Sequence, residues 1–155
     1  VYRTGLYDVK EIDMGNLSLF LKKNKKEKKN GYYAATKSLC DDNGKPLEWE
    51  IKALTTRETD AIREECSKDV PVAGRQGQWR RKIDSTMLCR KLLVAATVFP
   101  DMHNAELQDS YGVKTAEDLV AAMVDNPEEY NNFVEFVQEF SGLESMDDKI
   151  AEAKN

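Results

Sequence analysis

One histidine, His103, stands in a chain of 155 residues, and that scarcity narrows the available chemistry. Imidazole is the usual acid–base group near neutral pH and the commonest metal ligand. His103 lies between Met102 and Asn104, with no cysteine or second histidine at metal-ligand spacing, so a loop or helix-capping place is expected for it. The chain also lacks Gly-x-Ser-x-Gly, a phosphate loop closing on Lys-Ser or Lys-Thr, and Gly-x-Gly-x-x-Gly. Its acidic pairs, Asp41-Asp42, Glu64-Glu65 and Asp147-Asp148, are neighbours in sequence, which points their side chains apart rather than into a shared proton site. The expectation is a protein that is not an enzyme, with no catalytic residues, no cofactor and no metal.

Long apolar runs are missing too. No segment approaches the roughly 18 to 20 residues of a membrane span, and no signal-peptide core opens the sequence. A cytoplasmic protein away from membranes is expected. The three cysteines, Cys40, Cys66 and Cys89, are odd in number and form no Cys-x-x-Cys, which reads as reduced, packed thiols. Basic charge is scarce in the C-terminal third: residues 101–155 carry net −11 while residues 1–100 carry net +6, together the −5 of the chain. Such polarity orients a molecule on a charged partner or favours head-to-tail self-association.

What is present suits a mainly α (α+β) fold, an N-terminal β-hairpin packed on a bundle of about five helices. Leu17, Phe20 and Leu21 fall at helical spacing and predict a short helix ending near Asn24. Lys22, Lys23, Lys25, Lys26, Lys28 and Lys29 then repel one another and read as a solvated linker. Leu47, Trp49, Ile51 and Ala53 alternate with charged residues, and Asn43-Gly44 supplies a reversal, so residues 32–54 are expected to form a hairpin. Thr55 with Glu58 forms a capping-box signature for a helix to about Ser67, with Ile62 and Cys66 on its buried face. Val70-Pro71-Val72 ends that region, and Gly74 to Gln78 reads as a polar loop into Trp79-Arg80-Arg81-Lys82, with Trp79 tucked into the core.

Asp84 or Ser85 is expected to cap a central helix whose face runs through Leu88, Leu92, Ala95, Ala96 and Phe99 to Pro100. Asn104 caps a short helix closing at Tyr111-Gly112, and Thr115 caps another with Leu119, Val120, Met123 and Val124 inward. Asn126-Pro127 opens the last, with Tyr130, Phe133, Val134, Phe136, Val137 and Phe140 forming its stripe and Gly142 its end. From Ser145 a weak turn or two is expected. Met14 is a candidate native initiator.

The wording Asn104-Ala105-Glu106-Leu107-Gln108-Asp109-Ser110-Tyr111-Gly112-Val113 resembles the XkdN-like tail-assembly chaperone family of phages and prophages of Gram-positive bacteria. The resemblance takes in Leu19 to Asn24, Gly44-Lys45-Pro46 with Trp49-Glu50-Ile51, Val70-Pro71-Val72, Gly74, Gly77-Gln78 and Ala151 to Asn155. It covers about residues 17–155 as one domain, leaving residues 1–16 as an extension outside it, and does not account for Trp79-Arg80-Arg81-Lys82. It implies a non-catalytic helper of tail morphogenesis, absent from the mature virion. Such a helper would coat the tape-measure protein and help bring tail-tube subunits to it.

A helical module can lay an apolar face against such a long helical partner. Tyr130, Phe133, Phe136 and Phe140, then Trp79 and Tyr111, are the candidate partner-binding residues. The competing reading is a small nucleic-acid-binding regulator using the lysine run and Trp79-Arg80-Arg81-Lys82. A small hydrolase would need distant carboxylates to meet His103.

Overall fold

The computed structural model describes residues 16–143. The expectations for residues 1–15 and for the tail from Ser145 lie outside them. Within this range the protein is a mixed α+β structure, mainly helical, with small antiparallel sheets.

Local signals place most of the helices. Helix α1, Thr56–Glu65, starts on the capping box: the Thr55 hydroxyl accepts from the Glu58 N–H while the Glu58 carboxylate accepts from the Thr55 N–H. Helix α2, Ser85–Ala96, is capped by Asp84, whose side chain accepts from the Met87 N–H. Asn104, Thr115 and Asn126 cap α3 (Ala105–Ser110), α4 (Ala116–Met123) and α5 (Pro127–Ser141) in the same way. Pro127 occupies the first turn of α5, where its missing N–H costs no hydrogen bond. Gly142 ends α5 in the left-handed conformation, φ +77°.

Strand β1 (Gly31–Tyr33) pairs antiparallel with β2 (Trp49–Ile51), Tyr33 opposite Trp49. The expected hairpin is therefore present, with a shorter ladder. Between the strands a tight reversal forms where the Asp41 carboxylate accepts from the N–H groups of Asn43 and Lys45 and Gly44 takes φ +81°. Leu47, at the outer end of the alternating pattern, is exposed, and Trp49 and Ile51 are buried.

Three expectations are corrected. The helix foreseen through Phe99 stops at Ala96, and Thr97–Phe99 forms β5, antiparallel to β2, giving the order β1-β2-β5. Thr97 and Val98 are β-branched, and a residue before proline is driven to extended backbone, so Phe99 leaves the helix before Pro100. The polar loop from Gly74 to Gln78 forms as expected, but the segments on either side of it are strands rather than connectors, so it is the tip of a second hairpin, β3 (Ser67–Pro71) against β4 (Trp79–Ile83). The short N-terminal helix appears as two 3₁₀ turns, Leu17–Phe20 and Lys22–Asn24, with no buried residue. With no surface to pack its stripe against, so short a segment has nothing to hold it in an α-helix.

The core gathers around α2, which contacts α1, α4, α5 and β5. Leu93, Ala96, Leu119, Val120, Ile51 and Phe133 are all fully buried. The segment after β1 is tied to α5 from a distance. The buried Thr36 hydroxyl donates to Glu129 Oε1 at 2.8 Å, and the Lys37 N–H donates to Oε2 at 2.8 Å.

These bonds carry a pH dependence. Glu58 is held below the ordinary glutamate value of 4.5, chiefly by Lys52, whose Nζ lies 2.6 Å away, with help from Thr55. Glu129 is held below it chiefly by the Lys37 N–H and then by the Thr36 hydroxyl. A carboxyl with a depressed folded value stabilises the fold above its unfolded value and loses that contribution as pH falls through the folded one. The thermal midpoint is therefore expected to fall as pH drops below about 4.5, and Glu129→Gln to flatten that fall. Equal acid slopes for both proteins in calorimetry would remove Glu129 from this role.

Candidate functional site

The candidate residues separate into three places. The first is the arm formed by β3 and β4. All five residues of β4 are exposed, and Trp79 retains 64% of its accessible surface. Trp79 is thus outside the core, the reverse of the expectation for it. Neither side of the arm is covered, so nothing buries the indole. It stands opposite Pro71 and, with Val72 and the Gly74–Gln78 loop, lines an open hollow of about 460 Å³. The arm bears Lys68, Arg75, Arg80, Arg81 and Lys82 against Asp69 alone.

The second place is the face of α5. Spacing of three and four residues aligns Phe133, Phe136 and Phe140 on one side, and β1 lies against them. Tyr33 stacks on Phe136 with centroids 4.3 Å apart and on Phe133 at 5.6 Å, and Phe136 stacks on Phe140 at 5.5 Å. Trp49 meets Phe133 edge-on at 5.4 Å. Lys28 closes the series, its Nζ 4.1 Å from the Phe140 centroid and donating to the Phe140 carbonyl at 2.5 Å. Phe133 is fully buried, a core residue with no surface to offer a partner, whereas Phe136 and Phe140 are half-buried. Gly31 lets the ring approach closely here: a Cβ at that position would lie 3.0 Å from the Phe140 ring, which would have to shift outward to admit it.

The third place is a hollow of about 270 Å³ between α2 and the α4–α5 junction, lined by Arg90, Ala121, Val124, Pro127 and Tyr130 among others. Tyr130 is half-buried, and burial, with nearby Cys89, pushes its hydroxyl above the ordinary tyrosine value. Tyr111, half-buried at the C-cap of α3, packs against the core from elsewhere. The six candidates do not converge on one surface.

Sequence reasoning missed a further pair. Tyr32, Glu50 and Phe99 stand at one level across β1, β2 and β5, so their side chains share the face turned away from Trp49. Tyr32 and Phe99 are 63% and 66% exposed, flanking Glu50, which accepts from Asn30 Nδ2 at 2.8 Å. The adjacent tyrosines Tyr32 and Tyr33 carry the available signal, since in a strand one of them must face out. Leu17, Leu19 and Phe20 are exposed as well.

Catalytic geometry is thin by comparison. His103 is exposed and its backbone N–H caps onto Asp101 at 2.9 Å. Among the described residues no group of three or more His, Cys, Asp or Glu stands close enough to hold a metal ion, and no helix is long and apolar enough to cross a membrane. Burial pushes the Cys66 and Cys89 thiols up, which keeps them protonated near neutral pH. Cys40 differs from the expected packed thiols: it is exposed, with Sγ donating to the Lys37 carbonyl at 3.0 Å.

Residues 17–154 match the model of a family described as phage XkdN-like tail assembly chaperone proteins. Two proteins of Bacillus subtilis (strain 168) are similar over 121 residues, 77% of this chain and 80% of theirs: phage-like element PBSX protein XkdN, 24% identical, and the uncharacterized protein YqbN, 25% identical. A crystal structure of the protein YqbN superposes with a TM-score of 0.66 at 20% identity, covering 82% of this chain and 96% of that one. That likeness supports the arrangement of elements described above.

Proposed function

Because the chain belongs to the phage XkdN-like tail assembly chaperone family, we propose that it acts in the host cytoplasm as a non-catalytic binding protein. In this role it holds the tape-measure protein during tail building, helps bring tail-tube subunits to it, and stays out of the finished virion. The observation that carries this reading is the set of large apolar side chains standing in water: Trp79 on the arm, Tyr32 and Phe99 on the sheet, and Phe20 near the start. Exposed aromatics grouped on one sheet face and on a projecting hairpin are the anchors that protein interfaces favour. A long helical partner presents apolar side chains at regular intervals, and the hollow beside Tyr130 has room for one of them.

The test is co-expression with the tape-measure protein of the same phage or prophage. A several-fold gain in its soluble fraction, with co-purification of this chain, is the expected result. No gain and no co-purification would overturn the reading. A nucleic-acid role has one feature in its favour, the cations around Trp79. It requires a salt-sensitive mobility shift of DNA or RNA that disappears on replacing Arg80, Arg81 and Lys82 with alanine.

A further inference from the structure

The register of the three-stranded sheet has one irregularity, and it turns a large apolar side chain outward. Thr97 stands opposite the buried Ile51. Strict alternation from Thr97 would put Phe99, two residues on, on that same inner side. The shift between Glu50 and Ile51 takes Val98 out of the count, so Phe99 stands opposite Glu50 and projects to the outer side with it. Its ring is left 66% exposed. Across β2 the same level carries Tyr32, opposite Glu50 on the other edge and also exposed. The order ring, carboxylate, ring therefore crosses the sheet. Neighbouring strands lie about 4.8 Å apart, so Tyr32 and Phe99 are rooted about 9.6 Å from one another with Glu50 midway.

Glu50 brings a charge to this row that nothing in the described chain matches. Among the described residues it is in no ion pair. Its hydrogen bond is with a neutral group, the Asn30 side chain, whose Nδ2 donates to Oε2, and Oε1 accepts none among the described residues. Lys52, next on the same side of the chain, is held by Glu58 at 2.6 Å. Two rings alone would accept any apolar side chain, and a carboxylate alone is served by water. Together they select a cation. A group standing over Glu50 midway between the rings lies about 4.8 Å from each, inside the roughly 6 Å over which an aromatic face attracts a cation. Guanidinium suits this better than ammonium, because it is planar, stacks on rings and gives two parallel N–H bonds to one carboxylate. A nucleic acid is disfavoured here, since base stacking on these rings would bring phosphates toward Glu50 and the exposed Glu48.

We propose that Tyr32, Glu50 and Phe99 form a clamp for an arginine side chain of a protein partner. The identity of that partner as the tape-measure protein rests on the chaperone reading above. The clamp itself does not, since its three groups and their spacing belong to the sheet.

Nuclear magnetic resonance of the full chain tests the clamp directly. N-acetyl-arginine amide, titrated at constant ionic strength, should give saturable shifts at the amides of Tyr32, Glu50 and Phe99. N-acetyl-norleucine amide, apolar and uncharged, should give none. Glu50→Gln keeps an acceptor for Asn30 and removes the charge, so arginine amide should bind it about fivefold more weakly or worse. Phe99→Leu, apolar but without a ring, should weaken binding about threefold. In a titration with the tape-measure protein of the same phage or prophage, Glu50→Gln should lower affinity about tenfold and flatten its salt dependence. The clamp is overturned if these amides show no saturable shift, if norleucine amide shifts them equally, or if Glu50→Gln binds arginine amide as well as the unmodified protein does. Arginine amide bound at these positions with no tape-measure complex at all leaves the clamp standing and sinks the chaperone reading. A tape-measure complex whose affinity ignores Glu50→Gln keeps that reading and overturns the clamp as a partner site.

Discussion

Replacing Phe133 with alanine is expected to destabilise the fold by about 3–5 kcal/mol, the usual cost of emptying a phenylalanine site in a packed core. For a chain of this length each kcal/mol corresponds to roughly 2–4 °C, so the thermal midpoint should fall by roughly 6–20 °C. The size follows from where the ring sits. Phe133 is fully buried, with Tyr33 stacked at 5.6 Å on one side and the edge of Trp49 at 5.4 Å on another. Deleting it removes the contact that joins α5 to β1 and β2 together, and neither neighbour can close the gap without leaving its own packing. Phe140→Ala should cost less, because that ring is already half in water; it removes the ring beneath Lys28 but leaves the backbone carbonyl to which Lys28 donates. A loss below about 1 kcal/mol for Phe133→Ala in calorimetry would mean that the ring is not the joint described here.

The contrast between what the sequence disclosed and what it hid follows from the distance over which each element is decided. Thr55 with Glu58, Thr115 with Asp118, and Asn126-Pro127 complete their bonds within one helical turn, so their helices were legible from the residues alone. The reversal at Asn43-Gly44 is equally local. Strand β5 is different. Thr97–Phe99 extends because β2 offers it an edge, and β2 lies far earlier in the chain. Apolar periodicity alone carried the helix through it.

The arm escaped notice for the opposite reason. Trp79-Arg80-Arg81-Lys82-Ile83 has no alternation of apolar and polar residues because neither side of the hairpin is buried, and alternation is a record of burial, not of pairing. The same logic governs the candidate site. Helical spacing set Phe133, Phe136 and Phe140 on one side together with Tyr130, yet Tyr130 lines a separate hollow against α2, and which of the phenylalanines keep a free surface was settled by β1 lying on α5. Tyr32 and Phe99 became a pair only when three strands met.

Under the proposed chaperone role, Trp79→Ala separates binding from folding most cleanly. The indole keeps 64% of its surface in water and touches no core element, so its loss should change stability by no more than about 0.5 kcal/mol. Binding should suffer far more, because an aromatic with this much free surface gains most from being covered. A hot-spot truncation costs about 2 kcal/mol or more, which converts to about a 30-fold weaker affinity for the tape-measure protein in a binding titration. Tyr130→Ala is expected to weaken both properties, since that ring already packs against the core from the rim of its hollow. Unchanged affinity in a folded Trp79→Ala protein would exclude the arm from the partner surface. The exposed Tyr32 and Phe99 of the sheet would then be the remaining anchors, and their double alanine variant would have to show the loss instead.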